Sequence, residues 1–91
     1  MITVLYFMTT GWACPACAGM KPHIIAVCKD MGVKLEMVDV SHNGGETLGM
    51  QYNVCGLPTV IALHDGALVG RIDSGVTRQG VIDLIKAARD D

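Results

Sequence analysis

The chain has 91 residues, of which 51% are hydrophobic and 18% charged, the make-up of a folded globular protein and far from that of a disordered one. A formal net charge of −2 offers no basic stripe to a phosphate backbone, so no nucleic acid is expected as a partner. The apolar run Ile2–Met8 is far short of the roughly 20 residues that span a bilayer, and it lacks the basic flank and small-residue cleavage site of an export signal, so no membrane or secretory role is expected.

A length of 91 residues makes one domain, 1–91, as the expectation. Four cysteines are too few for a stapled secreted scaffold. They favour a reducing, cytoplasmic setting in which thiols are reactive, metal-bound or simply buried.

Taken in chain order, "TVLYFM" (Thr3–Met8) is apolar on both alternations and reads as a central strand covered on both faces. It leads into "TTGWACPACAGMKP". Beyond Cys14, Met20, Ile24, Val27, Cys28 and Met31 recur with helical period, which predicts one helix over Pro15–Met31, stopped by a left-handed Gly32. Pro22 inside it either bends the helix or ends it near Met20.

Val33–Val40 alternates and reads as a second strand. After the loop "SHNGG", a short helix is predicted over Glu46–Tyr52, with Leu48 and Tyr52 four apart. "CGLPT" breaks the chain before the apolar strand "VIAL". His64, Asp65 and Gly66 carry turn signals, and "ALVGRID" is the returning arm of a hairpin. Thr77 is the N-cap of a last helix whose face is Val81, Ile82, Leu84, Ile85 and Ala88. A helix between the first two strands implies a parallel right-handed crossover and the later tight turn an antiparallel pair, so the sheet is mixed.

The chemistry concentrates at Cys14 and Cys17. Cysteines at i and i+3 on a helical first turn have Cα atoms roughly 5 to 6 Å apart, inside the disulfide range, so they can bond or separate with little backbone movement. With Cys14 as N-cap, its sulfur faces the free amides of Ala16 and Cys17 and the positive end of the helix dipole. Pro15 removes only an amide that the cap does not use and pre-forms the turn. In such surroundings a cysteine pKa falls to about 3.5 to 7.5, which makes Cys14 the candidate nucleophile. Cys17, one turn in, is the candidate resolving thiol. Trp12 either shelters this exchange or is an ordinary aromatic at the core edge.

These features together resemble a small thioredoxin. The resemblance rests on the C-x-x-C pair after a first strand, Pro22 five residues beyond the second cysteine, "GLPT" at Gly56–Thr59, "HDG" in the hairpin turn and Gly75 before the last helix. It implies an α/β thioredoxin fold, a mixed four-stranded sheet flanked by helices, in a minimal form without an extra amino-terminal strand and helix. It also implies a cis peptide before Pro58, which leaves the Leu57 backbone free to pair with a substrate, and a docking rim of Trp12, Gly56, Leu57, Pro58 and Gly75.

The implied activity is reduction of protein disulfides by a monomer that binds no cofactor. A separate flavin-dependent thioredoxin reductase would recharge it, and ribonucleotide reductase is one target by analogy. Three departures stand out. Ala13 separates Trp12 from Cys14, the inner pair is Pro15-Ala16, and the first strand lacks the buried aspartate usual in the family.

A C-P-x-C motif at this length is equally similar to glutaredoxins, but "LVGRIDSG" supplies only Gly70 and a displaced Asp73 where these grip glutathione. Thiol exchange with glutathione, a redox-inactive binding module and a C-x-x-C metal site therefore stand as alternatives; the last lacks a second close pair of ligands. Cys28 is expected as a buried apolar residue and Cys55 as a thiol near the rim or an incidental one. His23, His42 and His64 share no spacing and are expected on the solvated surface.

Overall fold

In the computed structural model, which describes residues 1–90, seven elements follow one another. They are β1 (Ile2–Met8), α1 (Pro15–Met31), β2 (Lys34–Asp39), α2 (Asn43–Gln51), β3 (Thr59–His64), β4 (Ala67–Ile72) and α3 (Arg78–Arg89). The sheet order is β2-β1-β3-β4. β1 runs parallel to β2 and antiparallel to β3, and β4 pairs antiparallel with β3, giving the mixed sheet that the connections imply.

The doubly apolar pattern of β1 is explained by a layer on each side. Val4 and Tyr6 pack with Ile24, Val27 and Cys28 of α1 and Val81 and Ile85 of α3. Leu5 and Phe7 turn to the other face with Val38 and Ile61, covered by Leu48 and Tyr52. There the rings of Phe7 and Tyr52 meet edge to face with centroids 6.2 Å apart.

Local chemistry sets most of the element ends. Gly32 takes φ 66°, and its N–H reaches the Cys28 and Lys29 carbonyls, closing α1. Asp65 and Gly66 both have positive φ, as a two-residue hairpin with the twist of its strands requires. The Thr77 side chain accepts from the Gly80 amide and starts α3. Pro22 sits inside an uninterrupted α1, so of the two readings the helix continues.

Two expectations need correction. The short helix begins at Asn43, not Glu46, because Gly44 and Gly45 are helical despite their low propensity. A Cβ on Gly45 would lie 1.9 Å from the Asp39 carbonyl oxygen, so close approach of α2 to the end of β2 requires glycine there. His64 is not merely solvated. Its Nδ1 lies 3.0 Å from the Ala88 carbonyl and fastens β3 to α3.

Candidate functional site

β1 delivers the chain to the site through Thr9–Ala13, and the parallel register places Met8 beside Asp39, the last residue of β2. The Asp39 carboxylate then ties two loops together. It accepts from the Thr10 amide at 3.1 Å and the Thr10 hydroxyl, and from the Ser41 amide at 2.9 Å and hydroxyl at 2.6 Å. A Cβ on Gly11 would lie 2.5 Å from that of Ser41, so glycine lets the loops touch. The Ser41 and Thr10 hydroxyls hold the Asp39 carboxyl well below the usual carboxylate range. The clamp is therefore charged throughout the neutral range.

Cys14 is the N-cap of α1, as its position before Pro15 implies. The Cys17 amide donates to its sulfur at 3.3 Å, and the Ala18 amide donates to its carbonyl at 3.1 Å. No acidic side chain in the first turn competes with that sulfur for the positive helix end. Cys14 and Cys17 form a disulfide with Cα atoms 5.2 Å apart, within the span their spacing predicts. The two thiols differ in access. Cys14 is half-buried and Cys17 only 2% exposed, so an incoming disulfide meets Cys14 first.

The Leu57–Pro58 peptide is cis, and the Thr59 hydroxyl donates to the Gly56 carbonyl at 2.7 Å. A groove of about 240 Å³ opens between this loop, α2 and Trp12. Val40, Gly49, Met50, Val54, Cys55 and Leu57 line it together with Trp12 and Glu46. Of the five predicted rim residues it brings together Trp12 and Leu57. Pro58 is buried, while Gly56 and Gly75 are exposed outside it, Gly75 with φ 63°.

Trp12 is 59% exposed and Met50 72%, so Trp12 is no part of the core edge. Sequence reasoning missed Met50 and Val40; their places on the groove depend on how α2 folds back over the sheet. Tyr6 was missed as well. Its signal was a polar-tipped ring in an otherwise apolar strand, and its hydroxyl donates to the Cys17 carbonyl at 2.6 Å.

The remaining thiols separate as their sequence positions suggest. Cys28 is buried, and burial pushes its thiol up to about 11. Cys55 is exposed on the groove. Arg71 holds Asp73 through Nε at 3.0 Å and Nη2 at 2.7 Å, and its Nη1 donates to the Tyr52 carbonyl at 2.6 Å. Asp73 is thus occupied in fastening β4 to the end of α2. Among the described residues no group of three or more His, Cys, Asp or Glu converges in a way that could hold a metal ion, and no helix is long and apolar enough to cross a membrane.

Comparison with known proteins follows the same lines. The family model described as Thioredoxin matches residues 2–87. Thioredoxin 2 of Plasmodium falciparum (isolate 3D7) is 31% identical over 85 residues, which make up 93% of this chain and 53% of that protein. The chain therefore spans about half the length of the curated relative it matches. Among solved structures, thioredoxin 1 of Thermosipho africanus TCF52B superposes with a TM-score of 0.84 at 26% identity, covering 97% of this chain and 94% of that one. Fasciola hepatica thioredoxin gives 0.82 at 28% identity, covering 93% and 78%.

Proposed function

This chain belongs to the thioredoxin family, and from that premise we propose that it is a thiol–disulfide oxidoreductase that reduces disulfides in other proteins. The observation that carries the reading is the bond from the Cys17 amide to the Cys14 sulfur at the open start of α1. A donor that stabilises a thiolate at the more accessible of two paired sulfurs supports attack from that sulfur.

The exchange runs in two displacements. Reduced Cys14, as thiolate, attacks a sulfur of the target disulfide; a Cys14–target S–S bond forms and the target's other sulfur leaves as thiolate. Cys17 gives its proton to solvent and attacks Cys14, forming the intramolecular bond and expelling the target's second sulfur, so two electrons have moved to the target. Neither step needs a bound cofactor.

Trp12 and Leu57 on the groove, with exposed Gly56 and Gly75 outside it and buried Pro58 behind, make up the rim that receives the target, and the Leu57 backbone offers an edge to an extended segment. A flavin-dependent thioredoxin reductase recharges the pair, and ribonucleotide reductase is a candidate target. The setting is cytoplasmic and the working unit a monomer of one domain. Pro15-Ala16 adds no cation to favour the thiolate further, which fits a reductant better than a strong oxidase. Engagement of Asp73 by Arg71 supports protein disulfides over glutathione, because that carboxylate is not free to grip a tripeptide.

The test is insulin reduction with the electron source varied. Turnover is expected with thioredoxin reductase and NADPH, accompanied by a change in Trp12 emission as the disulfide opens. Turnover driven by glutathione alone would replace this reading with the glutaredoxin-like one. No turnover from either source, nor with dithiothreitol, would leave a redox-inactive binding module.

A further inference from the structure

Among the described residues, only one side chain from outside Cys14–Cys17 hydrogen-bonds to that turn. That is Tyr6, at the centre of β1, fully buried among Val4, Ile24, Val27 and Ile85. Its hydroxyl donates to the carbonyl of Cys17 across a gap of 11 residues, at 2.6 Å. A phenol is seldom placed in such surroundings without a partner, and here its partner is the backbone of the second cysteine.

The need for such a tie follows from Pro22. In an α-helix the Ala18 carbonyl would accept from residue 22, which as proline has no N–H. One bond between the first turn of α1 and the rest of the helix is therefore missing, immediately after Cys17. The first turn must still hold steady while the Cys14–Cys17 bond opens and closes. Burial keeps the Tyr6 phenol protonated, so it remains a donor throughout the working pH range.

Resting on the exchange reaction above, we propose that Tyr6 is a positioning residue for the resolving thiol. By holding the Cys17 carbonyl it fixes the depth of the first turn against β1, so that in the mixed disulfide the Cys17 sulfur stays within reach of Cys14. Tyr6 exchanges no proton and touches no reacting sulfur. It acts only on the second displacement, because Cys14 attacks the target from the solvent side whether or not the turn is tied.

In a Cys55→Ser background, which removes the other exposed thiol, stopped-flow reaction of the reduced chain with Ellman's disulfide separates the two displacements, since each releases one thionitrobenzoate. In Tyr6→Phe, which keeps the ring and removes only the donor, the first release is expected to keep its rate and pH profile while the second slows about tenfold. Ile85→Val, which trims the same cluster from α3, is expected to leave both releases unchanged.

A second release that keeps its wild-type rate in Tyr6→Phe, or one equally slowed in Ile85→Val, would overturn the proposal. If the wild type itself gives no second release from Cys17, the exchange reading fails rather than the role of Tyr6. A measurement on the unmodified chain covers the case in which Tyr6→Phe does not fold. The Tyr6 hydroxyl proton is expected as a slowly exchanging NMR resonance near Cys17 in both redox states, and its disappearance on reduction would overturn the proposal.

Discussion

Cys17→Ser is expected to capture disulfide-containing proteins covalently, whereas Cys14→Ser captures none. Cys14 is half-buried and receives the Cys17 amide on its sulfur, while Cys17 is 2% exposed and lies beneath it. Remove the inner thiol and the first displacement still proceeds, but nothing remains to expel the target, so the mixed disulfide accumulates. Remove the outer thiol and the surviving one is shielded from any protein-sized partner. Disulfide-reducing turnover of either variant is expected to fall on the order of 10³-fold or more, as when one member of a catalytic set that acts as a unit is lost. Non-reducing gels followed by mass spectrometry of the adduct decide the matter. Adducts on the Cys14→Ser protein, attached through Cys17, would reverse the two roles.

The second large effect is structural and lies behind the site. Gly45→Ala is expected to lower the unfolding free energy by about 3 kcal/mol, at the upper end of what overpacking costs. The added Cβ would meet the Asp39 carbonyl oxygen at 1.9 Å and the carbonyl carbon at 2.6 Å, and backbone cannot swing aside as a side chain can. To make room, α2 must lift from the end of β2, where Asp39 also holds Thr10 and Ser41. The neighbouring Gly44 is the control. Nothing lies within 4 Å of its added Cβ, so Gly44→Ala is expected to stabilise the chain by about 0.5 to 1 kcal/mol through helix propensity and reduced freedom of the unfolded chain. Urea titration of both variants checks the pair. Equal stability of Gly45→Ala and wild type would mean that α2 does not press on Asp39.

These two cases also show which parts of the molecule were open to reading from residues alone. β1 and α1 were legible because their signals are local and mutually consistent: a doubly apolar strand, a proline at the first helical position, and a glycine at the stop. The Cys14 cap was legible for the same reason. The start of α2 was not, because one of the two glycines that read as a loop, Gly45, is required by contact with Asp39, a residue in another element.

The Asp39 clamp joins groups 29 positions apart, and neither Thr10 nor Asp39 signals the other. Tyr6 lies only 11 residues from Cys17, yet its contact depends on α1 folding back over β1. Trp12 was legible as a candidate but not as to side. Whether a ring joins the core or stands 59% exposed over a groove is decided by the turn that presents it.

The function proposed for this chain depends on whether the start of α1 lowers the cost of a negative charge on Cys14. The direct measurement is the alkylation rate of the reduced chain by iodoacetamide across pH, with the modified residue identified by mass. Cys14 is expected to titrate below a free cysteine, which titrates at about 8.5. A Cys14 midpoint at or above the free value would contradict it.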